Sequence, residues 1–371
     1  MTVMLRPGKL SGEIAGMPSK SDLHRLMIAA WLAGMDINGL PVISEDIAAT
    51  KRCLEETYGV LNCGESGSTL RFLLPVMAAM GSNITFTGVG RLPERPMQPL
   101  IDLLREHGCV INSERLPIGI SGQLKAGRFV LPGNVSSQYI TGLLFALPLL
   151  QGSSEIVLGS SLESAGYVEM TLRTIEKFGI IIQKMSHAWH IDGPQKYTLP
   201  PATQLKPELD WSNAAFWLAA GVRVTGLDQN SAQPDRAIAS LLENCDEMDA
   251  SQCPDLVPIM AVAMALRPGK NQIVKALRLR LKESDRLAAM ARNLTALGAG
   301  VTELPDGLVI CGETSLRGGE VQSFGDHRIA MAMAIAALKC EQGMRLHGAE
   351  AVQKSYPAFW EDYQRLGGRV T

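Results

Sequence analysis

Leu103-Leu104-Arg105-Glu106-His107-Gly108 closes an amphipathic stretch, and closely related text returns at Leu54 to Gly59, Thr174 to Gly179, Leu294 to Gly298 and Tyr363 to Gly367. Each passage ends on a glycine, as an amphipathic helix does when the chain leaves it through the left-handed region. Ahead of each such helix the sequence predicts another, opened by small or polar residues and filled with Ala, Leu and Met. These openings lie near Ser21, Ser68, Ser137, Ser212, Asp255 and His327, and glycines follow several of the helices, at Gly34, Gly81, Gly152, Gly221 and Gly343. A short strand is expected after each helix of either kind. One pattern therefore recurs six times, and each copy reads as a β-α-β-α-β-β unit.

Two copies are short. Only Val60 to Gly67 separates the second helix of the first unit from the next opening, where the second and third units carry the longer runs Cys109 to Ser136 and Ile180 to Trp211. The fourth unit is cut alike, between a helix near Arg236 to Asn244 and Asp255. Units one and four being shortened in the same way predicts two halves of three units each. The boundary is expected near Lys206-Pro207-Glu208, after the proline-bearing Leu199-Pro200-Pro201. The strand up to about Met17 precedes the first unit and is assigned to the second half, giving domains 18–207 and 1–17 with 208–371. The missing pieces should be outer strands, because every helix opening is retained.

A chain of 371 residues with 46% hydrophobic content can build two substantial cores. Charged residues make up 19% and the formal net charge is −2, so nothing global draws the chain to nucleic acid or membrane; any anion binding must come from local clustering. The opening Met1 to Gly8 has no apolar signal core and no later apolar run is long enough to span a bilayer, so a cytoplasmic protein is expected. The seven cysteines are scattered with no C-x-x-C pair, and read as buried free thiols. His187 and His190 flank Trp189 on an expected strand with no carboxylate cluster beside them, so no metal is assigned.

Chemistry concentrates at the helix openings. They read Ser19-Lys20-Ser21 with Arg25, Gly67-Ser68-Thr69 with Arg71, Ser136-Ser137-Gln138, Asp210-Trp211-Ser212, Pro254-Asp255 and Asp326-His327-Arg328. Ser, Thr and Asp are good helix caps, which accounts for any one opening. Capping does not account for the Lys or Arg attached to three of the six. Unpaired N–H groups plus nearby cations form a phosphate seat, and near-neutral overall charge points to a small polyanionic substrate. Arg95 in a turn ahead of a helix, the run Arg280-Leu281-Lys282-Glu283-Ser284-Asp285-Arg286 and Lys354 lie at comparable positions; for Asp285 alone, a solvated helix face explains the charge.

At these residues the sequence resembles the enolpyruvyl transferase family over essentially its whole length. The resemblance rests on seven motifs in family order: Ser19-Lys20-Ser21 through Arg25, Ser66-Gly67-Ser68-Thr69 through Arg71, Leu92-Pro93-Glu94-Arg95-Pro96, Ser136-Ser137-Gln138, Lys282-Glu283-Ser284-Asp285-Arg286-Leu287, Asp326-His327-Arg328 and Lys354-Ser355-Tyr356-Pro357. It implies a two-domain α/β fold, an inside-out α/β barrel or prism, each domain of three such units and here with one shortened unit apiece. The implied reaction moves the enolpyruvyl group of phosphoenolpyruvate to the 5-hydroxyl of shikimate 3-phosphate. Shikimate 3-phosphate would meet Lys20, Ser21, Arg25, Ser136, Ser137, Gln138, Ser164, Asp255 and Lys282, with Arg278 at a position that contacts this ligand in some relatives. Phosphoenolpyruvate would meet Lys20, Gly67, Arg95, Gln138, Arg286, Arg328 and Lys354.

By the same resemblance, Asp255 is the base toward the 5-hydroxyl and Glu283 the group that protonates the phosphoenolpyruvate methylene carbon and later recovers that proton. Lys20, with His327 or Lys354, would assist phosphate departure. No metal or organic cofactor is implied, and the partners are small-molecule substrates of a monomer, not nucleic acid or membrane. The cations for phosphoenolpyruvate fall on both sides of Lys206, so shikimate 3-phosphate is expected to draw the halves together and favour the second ligand. Glu65 departs from the family's usual Asn and puts an acid beside the expected anion. Two other readings compete: enolpyruvyl transfer to UDP-N-acetylglucosamine, disfavoured by the lack of a reactive Cys in the Leu92 to Pro96 region, and a non-catalytic anion-binding scaffold, disfavoured by the two acids among the cations.

Overall fold

Ser66, Ser136, Asp210, Asp285 and Asp326 each set a side-chain oxygen on a backbone N–H two or three residues on, and at each a helix begins. These oxygens satisfy donors that a helix start would otherwise leave open. The computed structural model describes residues 1–243 and 245–371; Asn244, named above as the end of a helix, lies outside the described residues.

The chain opens with β1 (Thr2–Arg6), β2 (Glu13–Ala15), α1 (Lys20–Leu32) and α2 (Glu45–Glu55). The second unit is β3 (Gly59–Asn62), α3 (Gly67–Ala79), β4 (Ile84–Thr87), α4 (Gln98–Glu106), β5 (Cys109–Ile111) and β6 (Ile118–Gly122). The third is β7 (Arg128–Leu131), α5 (Ser137–Ala146), β8 (Ser154–Leu158), α6 (Ala165–Lys177), β9 (Gln183–Lys184) and β10 (Ala188–Ile191). The reduced fourth holds α7 (Trp211–Ala219), β11 (Arg223–Thr225) and α8 (Ile238–Glu243). The fifth is β12 (Glu247–Asp249), α9 (Val257–Ala265), β13 (Gly269–Val274), α10 (Arg286–Ala296), β14 (Gly300–Leu304) and β15 (Gly307–Gly312). The sixth is β16 (Gly319–Gln322), α11 (His327–Ala337), β17 (Met344–His347), α12 (Phe359–Arg365) and β18 (Arg369–Val370).

The four complete units build four-stranded sheets of one pattern: β3-β4-β6-β5, β7-β8-β10-β9, β12-β13-β15-β14 and β16-β17-β1-β18. The first two strands run parallel and the remaining pairs antiparallel. In the last sheet β1, from the start of the chain, fills the place that a second hairpin strand takes elsewhere. The expected single opening strand is thus two strands in two sheets, because β2 pairs in parallel with β11.

Among the described residues the first unit contributes no strand after α1. A strand was expected after Gly34, but Asp36 accepts the N–H of Asn38 at 3.0 Å and winds Ile37–Gly39 into a 3-10 turn; local Asx bonding competes with extension. Asp255 likewise sits in a 3-10 turn, Pro254–Leu256, ahead of α9.

Contacts divide the molecule into two compact units, Lys20–Pro207 and Met1–Ser19 with Glu208–Thr371. Within the Lys20–Pro207 unit, every residue of α3 except Ser68 is buried. A helix apolar all round belongs inside a core, so the sheets lie outside the first helices. Gly142 lets α5 approach α3 closely, since a Cβ there would stand 2.3 Å from the Arg71 carbonyl oxygen. In the other unit α11 is buried throughout and packs with α9 and α7, while the amphipathic α10 and α12 cover the flanks. The five glycines ending the second helices, Gly59, Gly108, Gly179, Gly298 and Gly367, have φ from 74 to 104°, the conformation their recurrence predicted. All seven cysteines are free, but Cys311 on β15 is exposed rather than buried, because its side chain lies on the outer face of the sheet.

Candidate active site

In the unit that carries α9, α10 and α11, the run before α10 meets the openings of α9 and α11. Arg286, first residue of α10 and fully buried, donates through Nε to Asp326 Oδ2 at 2.7 Å, through Nη1 to Asp255 Oδ1 at 2.9 Å and through Nη2 to Glu283 Oε2 at 2.9 Å. Arg328 donates to Asp255 Oδ2 at 2.8 Å, and Lys282 Nζ stands 3.7 Å from Asp255 Oδ1. Asp326 is fully buried and accepts in addition from Ser284 Oγ at 3.1 Å and from the Arg328 N–H at 2.9 Å, the bond that caps α11.

Burial alone would raise the Asp255 carboxyl, but Arg328, Lys282 and Arg286 outweigh it and hold the group well below the usual carboxylate range. Burial would lower the Arg286 guanidinium, yet Asp326, Glu283 and Asp255 raise it. Lys354 Nζ donates to the Gly325 carbonyl at 2.8 Å, one residue before Asp326, and the buried His327 ring lies 3.9 Å from Asp326 Oδ1.

The Lys20–Pro207 unit offers a second arrangement, made of cations and hydroxyls. Gly67 opens α3 beneath two guanidiniums: a Cβ there would lie 2.6 Å from Arg95 Nη1 and 2.7 Å from Arg71 Nη1. Arg71 Nη1 donates to Gln138 Oε1 at 2.8 Å, which turns the Gln138 amide nitrogen toward Ser68 Oγ at 2.9 Å. Arg71 and the Tyr139 hydroxyl both donate to the Pro96 carbonyl, at 3.2 and 2.6 Å, fixing the turn that carries Arg95. Lys20 Nζ pairs with Asp46 at 2.7 Å. Arg25 is buried and donates to Thr171 Oγ1 at 2.9 Å, the Ser21 carbonyl at 2.6 Å and the Tyr167 carbonyl at 2.8 Å; burial draws its guanidinium down to about 10. Ser136 caps α5 by accepting the Gln138 N–H at 3.3 Å, with Ser137 as the first residue of that helix. Ser164, at the opening of α6, is buried with φ 55°, a strained conformation for a residue with a Cβ.

Of the residues singled out from sequence, Asp255, Lys282, Glu283, Arg286 and Arg328 form one cluster with Lys354 and His327 at its edge. Gly67, Arg95 and Gln138 form another. Arg278 Nη2 bonds the Ser251 carbonyl at 2.9 Å, on the loop leading to Asp255. Glu65 turns its carboxyl onto Gly90, where a Cβ would stand 2.6 Å from Glu65 Oε2. Sequence reasoning read Asp326 only as a helix cap and Arg71 only as a cation at a helix opening, and gave no role to Tyr139. Asp326 could have been found by charge balance, since Arg286 and Arg328 need a buried counter-charge; Tyr139 gave no signal. Among the described residues no group of three or more His, Cys, Asp or Glu side chains is placed to hold a metal ion.

A solved structure of EPSP synthase from Acinetobacter baumannii superposes with a TM-score of 0.80 at 22% identity, covering 100% of this chain and 99% of that one. The enolpyruvyl transferase NikO from Streptomyces tendae superposes at 0.75 with 15% identity over 100% of this chain and 98% of that one; these likenesses establish the fold. The 3-phosphoshikimate 1-carboxyvinyltransferase of Clostridium acetobutylicum is 42% identical over 421 aligned positions, covering 99% of this chain and 98% of that protein. That of Clostridium kluyveri is 41% identical over 420 positions with the same coverages. An alignment of 421 positions for a chain of 371 residues leaves at least 50 where this chain has none, in keeping with two reduced units. The family profile of EPSP synthase (3-phosphoshikimate 1-carboxyvinyltransferase) matches residues 43–246 and 228–363. With relatives this similar along its whole length, the chain belongs to the EPSP synthase family.

Proposed function

We infer that this chain transfers the enolpyruvyl group of phosphoenolpyruvate to the 5-hydroxyl of shikimate 3-phosphate and releases inorganic phosphate, a transferase step of the shikimate pathway leading to chorismate and the aromatic amino acids. The observation that carries the mechanism is one buried guanidinium, Arg286, bonded at once to Asp255, Glu283 and Asp326. A binding protein has no need of two carboxylates among the cations that must receive its anion.

In this reading Lys20, Ser21, Arg25, Ser136, Ser137, Gln138, Ser164, Asp255, Arg278 and Lys282 hold shikimate 3-phosphate. Lys20, Gly67, Arg95, Gln138, Arg286, Arg328 and Lys354 hold phosphoenolpyruvate; planar guanidiniums suit its carboxylate and phosphate. Glu283 gives a proton to the methylene carbon as the 5-hydroxyl oxygen bonds to the adjacent carbon and Asp255 takes the hydroxyl proton. The tetrahedral intermediate then loses a methyl proton to Glu283 while the carbon–oxygen bond to phosphate breaks. Lys20, His327 and Lys354 supply acid help to the departing phosphate.

The pairing of Asp255 bears on this sequence. With Arg286, Arg328 and Lys282 against it, its carboxylate is a weak base. Phosphoenolpyruvate neutralises Arg286 and Arg328 as it binds, removing the charges that depress Asp255 and raising its proton affinity when a base is required. Gly67 admits the ligand to the backbone, and Glu65, turned onto Gly90, keeps its charge from it.

A cytoplasmic monomer is part of this reading, as expected from the sequence. Among the described residues no helix is long and apolar enough to cross a membrane. Phosphate release from phosphoenolpyruvate is the test. Release should require shikimate 3-phosphate and not occur with UDP-N-acetylglucosamine; the reverse dependence, or no release with either, overturns the reading. Because the residues assigned to phosphoenolpyruvate come from both compact units, calorimetry should find it bound more tightly once shikimate 3-phosphate is present. Small-angle scattering should then give a smaller radius of gyration.

A further inference from the structure

Beneath the opening of α3 four side chains are joined into one line of hydrogen bonds. His24 of α1 is buried, with Nδ1 2.7 Å from Thr50 Oγ1 of α2. Thr50 Oγ1 lies 2.6 Å from Thr69 Oγ1 of α3, and Thr69 Oγ1 donates to Ser66 Oγ at 2.7 Å. Ser66 Oγ also accepts the Thr69 N–H at 3.2 Å, the cap that starts α3. The direction of the Thr69 to Ser66 bond fixes all the others. A hydroxyl has one proton, so Thr69, donating to Ser66, must accept from Thr50; Thr50, whose proton goes to that 2.6 Å contact in preference to the Asp46 carbonyl 3.4 Å away, must accept from His24.

The ring therefore carries its proton on Nδ1. Its Nε2 is buried with no hydrogen-bond partner among the described residues, which suits a bare nitrogen better than a stranded N–H. Burial, with the charges of Lys20 and Arg25, keeps the imidazole neutral by holding its pKa well below the usual value. Phe72 meets the ring edge-on at 6.3 Å between centroids and limits its rotation. None of these four side chains takes part in the transfer described above.

We propose that His24 is a positioning residue for the anion site at Gly67, acting through Thr50 and Thr69 to orient the Ser66 hydroxyl that caps α3. Ser66 is bonded directly to Gly67, so the angle at which the cap holds the chain sets where the Gly67 N–H points. A neutral donor on α1 thereby ties the helix bearing Lys20 and Arg25 to the opening that receives the second substrate. The proposal rests on the reading of Gly67 as a phosphoenolpyruvate contact.

Nitrogen-detected NMR of the full chain should find the His24 ring as the Nδ1–H tautomer and still neutral well below pH 6. Thr50→Val keeps the shape and removes the hydroxyl. It should raise the KM for phosphoenolpyruvate about three- to tenfold, the scale of one lost hydrogen bond, leaving kcat and the KM for shikimate 3-phosphate within about twofold. His24→Leu should do the same, and His24→Asn, whose amide can donate to Thr50, should recover most of the loss. The double variant His24→Leu with Thr50→Val should be no worse than the worse single one, because both break the same line. An Nε2–H ring, additive effects, or a loss of thermal stability with unchanged KM overturns the proposal alone. Gly67→Ala measured alongside separates the two ideas: an unchanged KM for phosphoenolpyruvate there overturns the placement of that substrate, and the proposal with it.

Discussion

The two compact units open their helices with different chemistry. In Lys20–Pro207 the caps are serines: Ser44 for α2, Ser66 for α3 and Ser136 for α5. In the other unit they are aspartates: Asp210 for α7, Asp285 for α10 and Asp326 for α11. A neutral hydroxyl satisfies one N–H and leaves the positive potential of the helix start for an incoming anion. A carboxylate cancels that potential, so guanidiniums must restore it, and there Arg286 and Arg328 crowd around Asp326 and Asp255. The difference shows two solutions to one problem. Serine caps leave the backbone at Gly67 open to a ligand, whereas aspartate caps go with a network of paired charges that includes Asp255 and Glu283, the residues proposed above as base and acid.

The comparison is most exposed at Asp326. Replacing it by Ala leaves the buried Arg286 with Asp255 and Glu283 but without the fully buried carboxylate that its Nε reaches, and breaking a buried pair this way typically costs about 3–5 kcal/mol. Urea unfolding should show a loss of that size, and a loss under about 1 kcal/mol would mean that the carboxylate is not what holds the cluster.

Asp255→Asn and Glu283→Gln come next: each should lower kcat about a hundredfold or more, with binding of shikimate 3-phosphate far less affected for Glu283→Gln. Calorimetry showing lost binding with kcat intact would move Glu283 from proton transfer to recognition. Asp255 also predicts a pH effect. Its folded pKa is depressed, so its stabilisation is fully present above the unfolded value of about 4 and disappears as pH falls through the lower folded value. The stability gap between the parent and Asp255→Asn should be flat near neutrality and shrink below about pH 4.

Smaller effects belong to the serine-capped unit. Gly67→Ala forces Arg95 or Arg71 aside and should weaken phosphoenolpyruvate by about 1–3 kcal/mol, the usual scale of overpacking, while kcat changes less. Ser136→Ala removes a cap and should cost about 1 kcal/mol of stability. If it cost as much as Asp326→Ala, the distinction between hydroxyl and carboxylate openings would lose its energetic meaning.

Much of this arrangement could be read in the sequence, and the reasons are local. The helices rich in Ala, Leu and Met are buried on nearly every face, so composition alone marks them, and their caps and terminating glycines are one-residue signals. The openings near Ser68, Ser137, Ser212 and His327 fall within one residue of α3, α5, α7 and α11. What escaped is non-local or competitive. Arg25 is held by Tyr167 and Thr171 of α6, far along the chain, and Gln138 takes its orientation from Arg71 of another helix. The turn at Ile37–Gly39 escaped because Asp36 offers the backbone a bond that the periodicity of apolar residues does not register.

The placement of β1 has a consequence for synthesis. It lies between β17 and β18, and Met4 exchanges two backbone hydrogen bonds with Thr371, at 2.7 and 3.0 Å. The Lys20–Pro207 unit is contiguous and has all its strands and helices once Pro207 has left the ribosome. β1, made before that unit, must instead wait without its partners until β17 and β18 have followed.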